Sequence, residues 1–155
     1  MRRQGLLWKR GASFLALQSV VAATAFAGPT SVTKNQDFNF GRVMGGAGLS
    51  GTVTITPSGS RTYSGSAVPL GSAFSAARYT ITGTAGKSYT ITLPPDFTIN
   101  AGPDQMTVTA LTSSIPLTGA IPAGGVLPFS VGGTLNVKSV QRNGLYGGNM
   151  IVTVK

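Results

Sequence analysis

The stretch Ala77–Pro94 reads ARYTITGTAGKSYTITLP, and it decides the predicted fold. Apolar and threonine residues alternate before its centre, where Tyr79 and Ile81 share one face, and the same residue types alternate after it. Strict alternation is typical of a half-buried β-strand with one face in the core and one face in solvent. The central Gly83–Lys87 is a turn sequence. We therefore predict two strands here, joined as a β-hairpin.

The same alternation continues along the chain in DFNFGRV, GTVTITP, QMTVTAL, LPFSVGGTLNV and GNMIVTVK. In QMTVTAL it places Met106, Val108 and Ala110 on one face. Thr112–Gly125 is the longest irregular stretch and is predicted to cross between sheets. Many short strands separated by turns favour an all-β fold, an antiparallel immunoglobulin-like β-sandwich of about seven to nine strands.

The N-terminus has the layout of a secretory signal peptide, with a basic leader, an apolar run and small residues at Ala25 and Ala27. We predict cleavage after Ala27. This gives a signal peptide over 1–27, a polar tail over 28–36 and a sandwich domain over 37–155. A single membrane anchor is the alternative, but the apolar run is short for a span of about 20 residues. The Arg2-Arg3 pair suggests twin-arginine export, although the residues after it match poorly and favour general secretion. The predicted location is therefore the periplasm, the cell surface or an extracellular fibre.

Charge does not point to nucleic acid. After residue 27 there remain eight Lys and Arg residues against three Asp, which leaves a net charge of +5. The basic residues are scattered singly, whereas a nucleic-acid groove needs them clustered among stacking aromatic residues. We therefore predict no nucleic-acid partner, and no stable membrane span after cleavage.

The side chains used in most catalysis are missing from the sequence. It contains no Cys, no His and no Glu, and its only acids are Asp37, Asp96 and Asp104. Histidine is the usual proton carrier near neutral pH, zinc needs Cys or His, and calcium needs several carboxylates. We predict no catalytic residue, no cofactor and no metal. An enzyme that uses Asp96 and Asp104 as a carboxylate pair remains a third hypothesis.

Two motif matches have simpler explanations. Gly46-x-Gly48-x-x-Gly51 has the spacing of a dinucleotide-binding loop, but that loop opens a helix and precedes an acid by about 20 residues. Here a strand follows, and the next acid is Asp96. Ser31-x-x-Lys34 matches the nucleophile motif of penicillin-recognising enzymes, but it lies in the polar tail and lacks the accompanying motifs.

The ordered segments DFNFGRV, GTVTITPSGSRT, FSAARYTITGTAGKSYTITLP, MTVTALTSS, FSVGGTLNV and GNMIVTVK resemble a secreted bacterial family catalogued as a domain of unknown function. That family is similar to pilin-like and spore-coat-like sandwiches of the chaperone–usher kind. The resemblance covers about Asp37 to Val154. It carries no catalytic residues and implies assembly instead.

The resemblance implies an incomplete sandwich whose groove accepts an extended segment from the next subunit. Partners would be copies of itself or related subunits, a periplasmic chaperone and an outer-membrane usher. The donor candidate, Gly28–Gln36, has Val32 as its only clear apolar residue. Three explanations stay open: earlier cleavage, a terminal subunit that accepts without donating, or a complete monomeric sandwich. If a groove exists, its borders are expected at five residues that are equally well explained as ordinary core: Phe38, Phe40, Met150, Val152 and Val154.

These inferences predict a secreted, non-enzymatic structural subunit of a bacterial surface fibre or fimbria-like assembly, joined by strand complementation. The alternative is a monomeric extracellular adhesion module that recognises a glycan or a surface through loops such as Thr112–Gly125.

Overall fold

The computed structural model describes residues 30–45 and 48–155, and within these ranges it contains strands and no helix. The strands are β1 Ser31–Gln36, β2 Val43–Met44, β3 Gly51–Ile55, β4 Arg61–Gly65, β5 Val68–Pro69, β6 Ala77–Thr82, β7 Ser88–Thr92, β8 Phe97–Ala101, β9 Asp104–Ser113, β10 Thr118–Ala120, β11 Val126–Val137 and β12 Thr153–Val154. The predicted all-β, antiparallel, sandwich-like fold is confirmed. The predicted signal peptide, with Ala25 and Ala27, lies outside the described residues.

The strands form one large sheet, one small sheet and a short ribbon. The large sheet has seven strands, with the order β1-β6-β11-β3-β4, while β9 also pairs with β11 and β8 pairs with β9. The small sheet has the order β10-β7-β12, and β2 pairs with β5. All of these pairings are antiparallel.

The twelve-residue strand β11 organises the large sheet. Its first half, Val126–Val131, pairs with β6, and its second half pairs with β3 and with β9. Alternate residues of β11 point inward along its length, as period-two geometry requires. Phe129 and Val131 are buried in one half, and Leu135 and Val137 in the other. A single strand therefore serves both halves of the core.

The core consists of two clusters. We call the cluster between the two sheets the inter-sheet cluster; it joins Tyr79 and Ile81 of β6 to Tyr89 and Ile91 of β7. The ring of Tyr79 stacks on that of Phe129, with 5.3 Å between centroids. The other, the open-face cluster, contains residues of β3, β9 and the second half of β11. The three-stranded sheet supplies no residue to the open-face cluster, so loops cover this part of the core.

The predicted hairpin between β6 and β7 is wrong, because these strands lie in different sheets. Gly83–Lys87 crosses between the sheets. The amide of Gly83 donates to the carbonyl of Gly125 (2.9 Å), and the amide of Gly86 donates to that of Ile121 (2.8 Å). Alternation reports which face of a strand is buried, and it is equally satisfied by strands that pair and by strands that face each other across a core. The apolar faces of β6 and β7 face each other.

The predicted face of β9 is correct at Met106 and Val108, which are buried, and wrong at Ala110, which is exposed. The register of β9 against β11 shifts here, as in a β-bulge, and Ala110 has φ 51°. The shift turns Leu111 inward, where it packs against both clusters. Gly133 of β11 accommodates it, because a Cβ there would lie 2.7 Å from Leu111 Cδ2.

Candidate assembly edge

Strand β1 forms the outer edge of the large sheet, and all six of its side chains are exposed. It pairs with β6, so that Val32 lies opposite Ile81 and Lys34 lies opposite Tyr79. The sequence placed Ser31–Gln36 in a polar tail before a domain that began at Asp37, whereas the structure includes it in the sheet. A strand can be held by backbone hydrogen bonds alone, without apolar side chains. The sequence of such a strand shows no alternation of apolar and polar residues, so its pattern does not predict it.

Few side-chain contacts reinforce β1. Lys34 Nζ pairs with Asp37 Oδ1 at 2.6 Å, and Thr80 Oγ1 donates to Asn35 Oδ1 at 2.8 Å. The hydrogen bond to Asp37 raises the pKa of Lys34, while burial raises the pKa of Tyr79 beneath the strand. Both contacts of β1 are exposed to water, where such interactions contribute little. β1 is therefore held mainly by its backbone ladder.

The last strand, β12, lies beside β1 on the same side of the sandwich. It pairs with Thr92 and Ile91 of β7, and Lys155 exchanges two backbone hydrogen bonds with Thr90, at 2.8 and 3.0 Å. The side chains before and within β12 differ from those of β1, because Met150, Val152 and Val154 are half-buried against the inter-sheet cluster. The C-terminal strand is thus anchored by its side chains and the N-terminal strand is not.

The two phenylalanines expected at this border lie deeper. Phe40 is buried in the open-face cluster, and Phe38 packs against both clusters. Their ring centroids are 4.6 Å apart. Val32, by contrast, is 37% exposed and is a member of neither cluster.

A cavity of about 950 Å³ opens beside this edge, over the open-face cluster. Phe38, Phe40 and Met150 line it, whereas Val32, Val152 and Val154 do not. One of its walls is the glycine-rich stretch Gln141–Asn149, whose role was not predicted from the sequence. The available signal was RNGLYGGN over 142–149, because clustered Gly and Asn residues are typical of an irregular segment.

The carboxylate pair considered for catalysis does not form. Asp96 precedes β8, and Asp104 begins β9 at the other end of the same hairpin, where it lies opposite Ala101. The length of β8, five residues, therefore separates them, or roughly 16 Å at the rise of a strand. Asp104 Oδ2 instead lies 4.0 Å from Arg142 Nε. These two residues cannot share a proton or a substrate atom in this arrangement.

The glycines that suggested a dinucleotide loop also have a structural explanation, although Gly46 lies outside the described residues. Gly51 begins β3, so a strand follows the motif. A Cβ on Gly51 would collide with the backbone nitrogen of Ala67 and lie 2.9 Å from the carbonyl oxygen of Ser64. Close packing of two chain segments therefore requires this glycine.

Over residues 30–45 and 48–155, no three His, Cys, Asp or Glu side chains are grouped as metal ligands would be. In the same part of the chain, no helix has the length and hydrophobicity needed to cross a membrane.

Comparison with known proteins identifies a family and nothing about its activity. No curated protein and no solved structure matches the chain. One family does match, over residues 30–155, and it is described as a domain of unknown function (DUF4402). The matched region begins one residue before β1 and includes every strand of both sheets. The chain therefore belongs to the DUF4402 family.

Proposed function

We propose that the protein is a secreted, non-enzymatic structural subunit of a bacterial surface fibre or fimbria-like assembly. Neighbouring copies, or related subunits, join by strand complementation. The observation that carries this proposal is β1, an edge strand that pairs with β6 at five of its six residues, with a register shift between Lys34 and Gln36, and that places none of its six side chains in the core.

A strand of this kind is suited to exchange. Leaving its own sheet costs β1 a backbone ladder and the partial burial of Val32, and the same ladder is regained on the β6 of another copy. Tyr79 and Ile81 of β6 pack in the inter-sheet cluster, and none of the residues that form this cluster belongs to β1. An unpaired edge is a template for another strand, which most proteins avoid and which an assembly can use.

Secretion and the assembly partners rest on the sequence. The basic leader, apolar run and small residues before position 28 support export, and the sequence resemblance supports a periplasmic chaperone and an outer-membrane usher as partners. A chaperone would protect the β6 edge before exchange by pairing with it.

Disulfide trapping tests the exchange directly, since the chain has no cysteine of its own. Thr33 of β1 and Thr80 of β6 are partners in the ladder. Cα atoms of such partners lie about 4.5–5.5 Å apart, within the range that a disulfide spans. The Thr33→Cys/Thr80→Cys variant should form disulfides between chains when the exported protein is oxidised after assembly, and it should run as a ladder on a non-reducing gel.

A matched pair at the opposite edge of the large sheet, between β3 and β4, provides the control. Thr52 of β3 and Ser64 of β4 are also ladder partners, and neither strand is a candidate for exchange. Thr52→Cys/Ser64→Cys should form disulfides only within one chain. If assembled Thr33→Cys/Thr80→Cys material also contains only intrachain disulfides, β1 is not the exchanged strand. If exported protein remains monomeric under all conditions, the fibre proposal is wrong.

The alternative proposal, a monomeric adhesion module, is favoured by one observation: β1 already completes the sheet of its own chain. The Thr112–Gly125 segment, which passes from β9 through β10 to β11, would then present the binding surface. Leu117 in this segment is 46% exposed. Under this alternative, a Leu117→Ser variant would lose binding to a glycan array while keeping its monomeric size.

A further inference from the structure

The cavity over the open-face cluster combines an apolar interior with a basic opening. Its deepest lining residues are buried and mostly apolar: Phe40, Tyr79, Met106, Leu135 and Val137. Half-buried Phe97 and Ile99 of β8 form one wall. A volume of about 950 Å³ lies at the upper end of the range in which proteins enclose small ligands.

A second wall, next to β8, is the segment Gln141–Asn149, which is held in place by specific contacts. Gly147 exchanges backbone hydrogen bonds with Asn100 of β8, at 2.8 and 3.0 Å. The hydroxyl of Tyr146 donates to the carbonyl of Arg142 (2.8 Å) and accepts from Gln141 Nε2 (2.6 Å). The cavity is therefore bounded by a tethered segment.

Apolar surface continues to the opening. Met44 of β2 and Leu70 both line the cavity, and they are 49% and 42% exposed. Leu145, in the Gln141–Asn149 wall, is 95% exposed. Apolar side chains at the rim of a cavity are typical of a ligand-binding entrance, because a bound hydrocarbon would cover them.

The charges at the opening are unbalanced. Three basic residues, Lys34, Arg42 and Arg142, line the cavity together with one acid, Asp37. Lys34 is paired with Asp37 at 2.6 Å, and Arg42 makes no ion pair with any described residue. Arg142 has only a 4.0 Å contact with Asp104, and its side chain is 78% exposed. Two guanidinium groups are therefore available to an anion.

Two hydrogen bonds hold the backbone of Arg42, so the Cα atom that carries its side chain has a fixed position beside the cavity. Its amide donates to Ser72 Oγ, and its carbonyl accepts from the amide of Leu70 at 3.0 Å. A guanidinium group can form two parallel hydrogen bonds with a carboxylate or a phosphate.

We propose that this cavity binds an amphipathic anion. The hydrocarbon chain of the ligand lies against the aromatic and aliphatic walls, and its acidic head group pairs with Arg42 and Arg142 at the opening. The inference does not depend on strand exchange, since Arg42, Arg142 and the apolar wall residues all lie outside β1.

Binding by purified monomer is measured with palmitate as the probe, by native mass spectrometry for stoichiometry and by calorimetry for affinity. Butyrate tests the head group alone, and hexadecanol tests the hydrocarbon chain alone. Palmitate should bind one to one, and both analogues should bind about tenfold more weakly or worse. Loss of the charge-assisted hydrogen bonds in the Arg42→Gln/Arg142→Gln variant should weaken palmitate binding by about tenfold or more.

Arg78→Gln is the matched control, because Arg78 is an exposed arginine of β6 outside the cavity, and it should leave the affinity unchanged. These variants replace exposed side chains, so folding should be preserved and is checked by circular dichroism. The proposal is overturned if palmitate does not bind, if hexadecanol binds as tightly, or if the double variant binds like the parent. It is equally overturned if a strand of another copy proves to occupy the cavity.

Discussion

Two adjacent glycines of β11 should tolerate the same substitution to different degrees. Glycine to alanine in a strand ordinarily stabilises by about 0.5–1 kcal/mol, because glycine loses more backbone freedom on folding. At Gly132, however, a Cβ would collide with the carbonyl oxygen of Ile55 and lie 2.7 Å from the nitrogen of Pro57. At Gly133 the nearest atom is 2.7 Å away, but it is Cδ2 of Leu111, a side chain that can move.

The Gly132→Ala contact involves main chain on the β3 side of the ladder, so relief requires separating strands. Overpacking of about 1–3 kcal/mol, with the loss of one or two ladder hydrogen bonds at about 1 kcal/mol each, gives a destabilisation of about 2–5 kcal/mol. Gly133→Ala should cost about 1–2 kcal/mol. Adding Leu111→Ala should remove the clash, so the double variant should be no less stable than Leu111→Ala alone.

Urea unfolding of the mature chain, followed by circular dichroism and tyrosine fluorescence, measures these differences as shifts in midpoint at constant slope. Gly71→Ala is the control, because Gly71 has open space at the Cβ position and no positive φ. It should change stability by less than about 1 kcal/mol. A Gly132→Ala variant as stable as the parent would refute the packing assigned to β11 and β3. Additive effects of Gly133→Ala and Leu111→Ala would refute the contact between the bulge and β11.

Three further predictions use the same unfolding assay. Ile81→Ala, at a fully buried position, should destabilise by about 2–5 kcal/mol, and a smaller loss would contradict the central place of Ile81 in the inter-sheet cluster. Arg61→Gln should cost about 1–2 kcal/mol, because Arg61 donates to the carbonyl of Phe40 (3.0 Å) and stacks over Phe74 at 4.2 Å; no change would show that neither contact contributes. Since burial raises the pKa of Tyr79 above 10.0, the folded state holds its proton more tightly than the unfolded state, and stability should fall as pH rises above about 10. This fall should be smaller in Tyr79→Phe, and an equal fall in both proteins would contradict the assignment.

Alternation predicted the fold class well, because the outward threonines and inward aliphatic residues of β3, β6, β7 and β11 repeat with period two and are buried accordingly. It could not predict which strands pair. Tyr79 and Tyr89 have the same pattern whether their strands form a hairpin or face each other across a core. It also missed Ser31–Gln36, because an edge strand whose side chains are all exposed needs only backbone partners.

The bulge at Ala110 and the cavity could not be predicted from the sequence either. The positive φ of Ala110 follows from fitting Leu111 over Gly133, residues more than twenty positions apart. The cavity depends on the path of Gln141–Asn149 across the open-face cluster, which is set by its hydrogen bonds to Asn100 and not by any pattern of its own. Contacts between distant segments determine these features. Hydrophobic periodicity describes only residues that are close to one another along the chain.

The central position of β11 has a kinetic consequence. Its partners include β3, and the hydroxyl contact between Thr54 and Thr134 joins residues eighty positions apart. Because β11 supplies residues to both clusters, neither half of the core can close before nearly the whole chain is present. Closure of long loops then limits the folding rate, and topologies dominated by such distant pairings fold on the scale of milliseconds to seconds. During that interval the apolar faces of the earlier strands remain exposed to water, with their backbone edges unpaired.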